Sequence, residues 1–313
     1  MIVIDAQAVH GLMDWSRQVA ALRAGHAGPR PAIDDLLMRQ SGSSLLVRAA
    51  WADGTGIGLK AVTVFPRNPD RSPPLPAVQG QFLLFDTEDG SVQAIIDGAA
   101  ITAWKTAGDS ALGTDLLARA DARTLTMVGA GAMAEPLVRA HLSVRPGIER
   151  IVIWNRSAAR AEALAGRIGD TGRRIEVLAD RAAAIGEGDI VSCATMSKDP
   201  VVPGEALKPG AHLDLVGAYT PDMREADDAA LTRGRLFVDA RETTIHEIGE
   251  LIIPLKAGVI SESDVLGDLF DLVPGGAGRQ SDDEITIYKN GGGAHLDLMT
   301  AGAIHAAWRE KNG

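Results

Sequence analysis

A single cysteine, Cys193, occurs in the 313 residues. It can form neither an intrachain disulfide nor a thiolate cage for a metal, which argues against a secreted disulfide scaffold and makes a reducing cytoplasm the expected compartment. Positive charge is also short: 31 basic residues stand against 41 acidic ones, for a formal net charge of −10. That balance gives no footprint for a phosphate backbone or an anionic membrane, so no nucleic-acid partner is expected. No apolar run approaches the roughly 18 residues of a membrane span. The start, MIVIDAQAVHGLMDW, lacks a basic segment followed by a long apolar one, and a soluble protein without a targeting segment or a membrane partner is expected. Aromatic residues make up only 4% while glycines number 35, and with 46% apolar and 23% charged residues this is the composition of a turn-rich α/β protein. Disorder and collagen-like repeats are excluded. The length exceeds the usual reach of one hydrophobic core, which predicts two structural units.

The hydrophobic pattern changes along the chain. Residues 5–24 place Val9, Leu12, Met13, Val19 and Leu22 at helical spacing, and residues 33–38 read as a second, short helix. Four strand-like runs follow at 44–51, 58–65, 80–86 and 92–98, separated by DGTG, the proline-rich PRNPDRSPPLP and TEDGS. Consecutive strands with short connections predict an antiparallel sheet. Residues 101–120 are helical again. From Arg123 strands and helices alternate, with apolar strands at 124–129, 150–155, 175–180, 189–195, 211–217, 235–240 and 284–290, the pattern of a doubly wound parallel sheet. A final helix over 295–310 could return to the first unit.

Gly129, Gly131 and Ala134 in VGAGAMA follow the first of these strands and open a helix. This is a dinucleotide fingerprint: one glycine for the tight turn, one for close backbone approach to a pyrophosphate, and a small residue for helix–sheet packing. Backbone N–H groups at the helix start would bind the phosphates. At the end of the next strand, where NAD-binding chains carry an acid for the ribose, stand Asn155, Arg156 and Ser157, with Arg160 a turn later. A guanidinium and small polar groups can hydrogen-bond a 2′-phosphate, so NADP(H) is expected in preference to NAD(H). The plainer reading makes Arg156 and Arg160 solvated residues of a helix start. Other strand ends carry Thr195, Gly217, Ala218, Tyr219, Asp239 and Asn290, a small and polar set suited to a crevice.

In the N-terminal part, Arg48 and Lys60 lie in strands and Lys105 and Thr106 on a helix. On pattern alone a strand lysine is more often an edge or snorkelling residue, and Lys105 belongs to a solvated helix face. Buried beside a substrate, Lys60 would have a lowered pKa and serve as a proton donor. His246, Glu247 and Glu250 have the spacing of a metal triad, yet no second cluster completes it, and no metal is expected. Cys193, in an apolar strand, reads as core.

Taken together, GLKAV around Lys60, KTAGDSALG at 105–113, VGAGAMA, LVGAYTPDMREAD at 215–227, VDAR at 238–241, HEIGE at 246–250 and EITIYKNGGGAHLDL at 284–298 resemble the ornithine cyclodeaminase/μ-crystallin family over residues 40 to 310. The resemblance implies a Rossmann domain, residues 107–295, and an α+β substrate-binding and dimerisation domain with an antiparallel sheet, residues 1–106 plus 296–313. It implies a homodimer acting on a small imino or amino acid. By position, Arg48 and Lys105 look like the cations that hold the substrate carboxylate, Lys60 like the catalytic lysine, and Tyr219, Gly291 and His295 like pocket residues. Thr106, Gly129, Gly131, Ala132, Met133, Asn155, Arg156, Ser157, Arg160, Thr195, Val216, Gly217, Ala218 and Asn290 match cofactor contacts. Lys105 departs from the family's more usual arginine, replacing a bidentate fork with a point charge. Tyr219 stands where the cyclodeaminases place an aspartate that steers the substrate amine, and TPDMRE after it resembles the imine-reductase branch. The expected activity is NADPH-dependent reduction of Δ1-pyrroline-2-carboxylate or its piperideine homologue; the alternatives are an NAD-dependent ornithine cyclodeaminase and a noncatalytic NADP-dependent ligand carrier like μ-crystallin.

Overall fold

In the computed structural model, which describes residues 1–53 and 55–313, an aspartate starts each of the first two helices. After β1 (Ile2–Ile4), Asp5 caps α1 (Ala6–Leu12) by accepting from the Ala8 N–H at 2.8 Å. Asp14 does the same for α2 (Trp15–His26) through Arg17 N–H. The helix expected over residues 5–24 is therefore two, because Met13 is extended and Asp14 satisfies a fresh set of orphan donors.

The larger correction concerns residues 33–38, which are strand and not helix. β2 (Ala32–Gln40) pairs antiparallel with β3 (Ser43–Ala52) along its whole length, from Ala32 opposite Trp51 to Gln40 opposite Ser43. Ser41 and Gly42 both take positive φ, 51° and 78°, as a two-residue type I′ hairpin turn requires. Ile33, Leu36 and Leu37 mimic helical spacing over this short run, and only the partner strand decides the outcome. β4 (Gly56–Val64), β5 (Val78–Phe85) and β6 (Val92–Asp97) follow. Among the described residues they form a six-stranded sheet in the order β1-β6-β5-β4-β3-β2, antiparallel except where β1 joins β6.

α3 (Gly98–Leu117) leads out of this unit, Met1–Lys105 with Gly293–Gly313, into the second, Thr106–Gly292. The observed cuts place Thr106 in the second unit and Gly293 to His295 in the first. The core of the first unit is Phe82, Leu84, Ile96 and Ile101 from sheet and helix, closed by Leu298 and Ile304 of the last helix.

The second unit alternates β7 (Thr124–Val128), α4 (Ala134–Val144), β8 (Arg150–Trp154), α5 (Ala158–Arg167), β9 (Arg174–Val177), α6 (Arg181–Glu187), β10 (Ile190–Cys193) and β11 (His212–Leu215). Then come α7 (Asp228–Arg233), β12 (Gly234–Val238), α8 (Arg241–Thr244), α9 (Gly249–Lys256), β13 (Val265–Gly267), α10 (Leu269–Leu272), β14 (Ile285–Lys289) and, in the first unit, α11 (Ala294–Asn312). Among the described residues the sheet is eight-stranded and parallel, in the order β13-β12-β14-β11-β10-β7-β8-β9. Its central strands are buried on both faces, which is why they read as apolar runs. The strand order reverses direction at β7, and the crevice of such sheets lies outside the carboxyl ends at that switch point. Among the described residues no helix is long and apolar enough to cross a membrane.

Candidate active site

In the first unit, register brings the cations together. Arg48 on β3 lies directly opposite Lys60 on β4, and on its other side opposite Asp35 on β2, to which its Nε is 2.9 Å away. Lys60 is only 5% exposed and donates to the carboxylate of Asp297, on α11, at 2.7 Å. Burial lowers the Lys60 pKa from its ordinary 10.5 to about 8; Lys105 and Arg48 push the same way and Asp297 opposes them. Asp297 is fully buried, which alone would raise its pKa, but Lys60, Lys105 and Arg48 together hold it below the usual carboxylate range.

Lys105 is itself buried at 5% exposure, so it does not belong to a solvated helix face. His295 is buried as well. Desolvation, then His26, Lys105, Arg48 and Arg30, keep its imidazole well below the ordinary pKa and therefore neutral. Its ring meets His26 edge-on with centroids 5.6 Å apart. Three cations thus surround one buried carboxylate, with Asp35 half-exposed at the rim. The cluster keeps surplus positive charge in a place of low dielectric, which suits a small anion.

In the second unit, Gly129 takes φ +108°, and a Cβ there would lie 2.7 Å from the Ala194 carbonyl, so the turn after β7 and the chain leaving β10 touch through a residue without a side chain. Gly131 faces open space, and Ala134 is fully buried where α4 packs on the sheet. A cleft of about 390 Å³ opens beside this turn, lined by Ala130, Gly131, Ala132, Glu135, Arg160, Ala163 and Arg167. The turn and cleft fit a dinucleotide pyrophosphate at a helix start. Glu135 is neutralised there by Arg139 and Arg167. Met133 precedes α4 as its N-cap residue. Arg156, Ser157 and Arg160 are exposed beyond β8, and Asn155 donates to the Ser157 carbonyl. We expect Gly129→Ala to destabilise the protein by about 1–3 kcal/mol and to weaken dinucleotide binding, as thermal unfolding and a binding titration would measure.

Beyond β14, the Asn290 amide donates to the Thr106 carbonyl and to Ser110 Oγ, which in turn donates to the buried Asp214. Gly291 packs on Thr244 so closely that a Cβ would clash with its hydroxyl. Thr195, Gly217 and Ala218 share one acceptor, the carboxylate of Glu225, and Val216 N–H donates to the Cys193 carbonyl. Tyr219 is 62% exposed. Glu250 is buried with its carboxylate on backbone N–H groups, while His246 is exposed beside Glu262, so the HEIGE segment assembles no triad.

The sequence profile of the ornithine cyclodeaminase/mu-crystallin family matches residues 25–312. The chain belongs to that family. A Δ1-pyrroline-2-carboxylate reductase of Paracoccus denitrificans is 50% identical over 94% of this chain and 93% of its own. Among solved structures, the Δ1-pyrroline-2-carboxylate reductase of Thermococcus litoralis in complex with NADH and L-proline superposes with a TM-score of 0.90 at 27% identity, over 100% of this chain and 98% of that one. The iminosuccinate reductase of P. denitrificans in complex with NAD+ does so with a TM-score of 0.91 at 27% identity, over 100% and 97%. This member of the ornithine cyclodeaminase/mu-crystallin family is an NAD(P)-dependent oxidoreductase with a Rossmann-type domain. Sequence reasoning missed Asp297 and Glu225. Asp297 pairs with Lys60 from 237 positions away and Glu225 ties Thr195, 30 positions away, to Gly217, and the local signal of each was its place inside the HLDL and MREAD motifs.

Proposed function

We propose that the protein reduces a cyclic ketimine, Δ1-pyrroline-2-carboxylate and also its piperideine homologue, to L-proline or L-pipecolate with NADPH. The observation that carries this reading is the buried cluster in which Arg48, Lys60 and Lys105 outnumber the carboxylates beside them. Arg48 and Lys105 hold the substrate carboxylate. Lys60 hydrogen-bonds the imine nitrogen and gives it a proton, a transfer made easy by an ammonium pKa of about 8. A bound reduced nicotinamide supplies the hydride for the imine carbon. Asp297 keeps Lys60 charged until the substrate arrives, and neutral His295 belongs to the same unit as this cluster. A phenol carries no carboxylate to steer an amine, so Tyr219 speaks against ornithine cyclisation.

One assay tests this: the cyclic imine with NADPH, or ornithine with NAD, followed at the nicotinamide absorbance band. Ammonia release from ornithine without imine reduction overturns the proposal, as does tight ligand binding with no turnover of either.

NADPH is favoured because Arg156, Ser157 and Arg160 stand exposed where an acid would repel a 2′-phosphate. Arg156→Ala should raise KM for NADPH about tenfold or more and leave KM for NADH unchanged; equal effects on both reject the assignment. Thr106, Gly129, Gly131, Ala132, Met133, Asn155, Thr195, Val216, Gly217, Ala218 and Asn290 complete the proposed cofactor contacts. We also propose a homodimer, supported by edge strand β2, which exposes Leu36, Leu37 and Met38. Light scattering would give twice the chain mass, and a monomer mass rejects it.

A further inference from the structure

We infer that Glu225, buried behind the ends of β10 and β11, is a positioning residue that sets the seat of the nicotinamide half of the cofactor. The inference rests on the dinucleotide reading of the second unit. With the fingerprint turn after β7 and the Asn155 segment after β8, the phosphates and the adenine-side ribose fall on one side of the switch point. The nicotinamide half then falls beyond β10 and β11, where Thr195, Gly217 and Ala218 stand.

These two chain ends are tied by one carboxylate. Glu225 Oε1 accepts from Thr195 N–H at 2.7 Å, Thr195 Oγ1 at 2.9 Å and Cys193 Sγ at 3.0 Å. Its Oε2 accepts from Gly217 N–H at 2.5 Å and Ala218 N–H at 3.3 Å. The loops meet so closely that a Cβ on Gly217 would clash with the Thr195 carbonyl. Glu225 is fully buried, and its own segment is fixed from behind: Glu250 accepts from the N–H groups of Glu225 and Ala226 at 2.7 and 2.9 Å. Buried Lys289, reaching the Leu215 carbonyl, supplies the nearby positive charge.

Two consequences follow. The Thr195 hydroxyl and the N–H groups of Thr195, Gly217 and Ala218 are committed to Glu225, so a nicotinamide meets this wall through carbonyls and carbon atoms. Both Glu225 oxygens face donors only, so Glu225→Gln keeps the volume but sets an amide N–H₂ against N–H groups and releases one loop from the other.

The test compares NADPH with 2′-phospho-ADP-ribose, which lacks only the nicotinamide, on wild type, Glu225→Gln and Glu250→Gln. Binding is read by titration and folding by calorimetry. Glu225→Gln should bind NADPH about tenfold more weakly, lose kcat in step, and bind 2′-phospho-ADP-ribose as the wild type does. Glu250→Gln, which touches only the backbone of the Glu225 segment, should show the same selective loss, smaller, and keeps the question decidable if Glu225→Gln fails to fold. Equal losses for both ligands, or none for either, overturn the inference. A wild type that binds neither ligand overturns the reading beneath it.

Discussion

Replacing Lys60 with methionine lowers kcat/KM for Δ1-pyrroline-2-carboxylate by about two to four orders of magnitude and leaves NADPH affinity unchanged. Methionine keeps an unbranched side chain, one atom shorter, and removes the proton. The variant also leaves Asp297 buried without its closest partner, a cost of about 3–5 kcal/mol when a buried pair is broken in this way. Calorimetry must therefore find it folded at the assay temperature, and intact NADPH binding separates lost chemistry from lost structure. Wild-type turnover in a folded Lys60→Met variant rejects the proton-donor role.

The pH profile of the wild type carries the same assignment. A donor with a pKa of about 8 must be protonated to act, so kcat/KM falls about tenfold per unit above that pH. The groups facing the ammonium are Asp297 from α11, Arg48 across the β3–β4 pair and Lys105 from α3. A bound substrate carboxylate adds an anion to this set and favours the charged form, which places the alkaline limb of kcat higher than that of kcat/KM. Stability moves in the opposite sense to activity. The unfolded chain keeps the ordinary value of 10.5, so between about 8 and 10.5 it holds more protons than the folded one, and this group's contribution to stability rises with pH.

The legibility of the molecule in its sequence follows the range of the forces involved. The central parallel strands β7, β10, β11 and β14 announce themselves because burial on both faces favours apolar residues at most of their positions, Leu125, Met127, Ile190, Val191, Leu213, Leu215, Ile285 and Ile287 among them. The turn at Gly129 is equally plain, since a positive φ against a neighbouring backbone has few chemical solutions. β2 reads as helix in the sequence because its identity depends on a nine-residue pairing with β3, and its own pattern of Ile33, Leu36 and Leu37 serves either state. The break at Met13 hid inside a continuous helical periodicity, although Asp14 is a capping residue. β1 and β13, three residues each, are too short to register a period. At the site, the cations carried chemical suspicion by themselves, while the acids that organise them did not. Lys60 and Asp297 are separated by 237 positions, and no local pattern marks an aspartate in α11 as the counter-ion of a strand lysine.

That separation makes Asp297→Asn the most discriminating substitution. Asparagine preserves size and an acceptor oxygen while removing the charge that holds Lys60 protonated. Lys60 then faces burial, Lys105 and Arg48 without opposition, and each of these lowers its pKa. The alkaline limb of kcat/KM should move down by about one to three units, the usual effect of an opposite charge at contact. Below the new limb Lys60 is protonated again and turnover recovers, which no misfolded variant would do. The lost negative charge also leaves Arg48, Lys105 and the protonated fraction of Lys60 freer to attract a carboxylate. At acid pH, KM for the imine therefore falls in the variant even as kcat at neutral pH declines. An alkaline limb that stays at the wild-type position removes Asp297 from control of the proton, and with it the physical basis for assigning Lys60 as the donor.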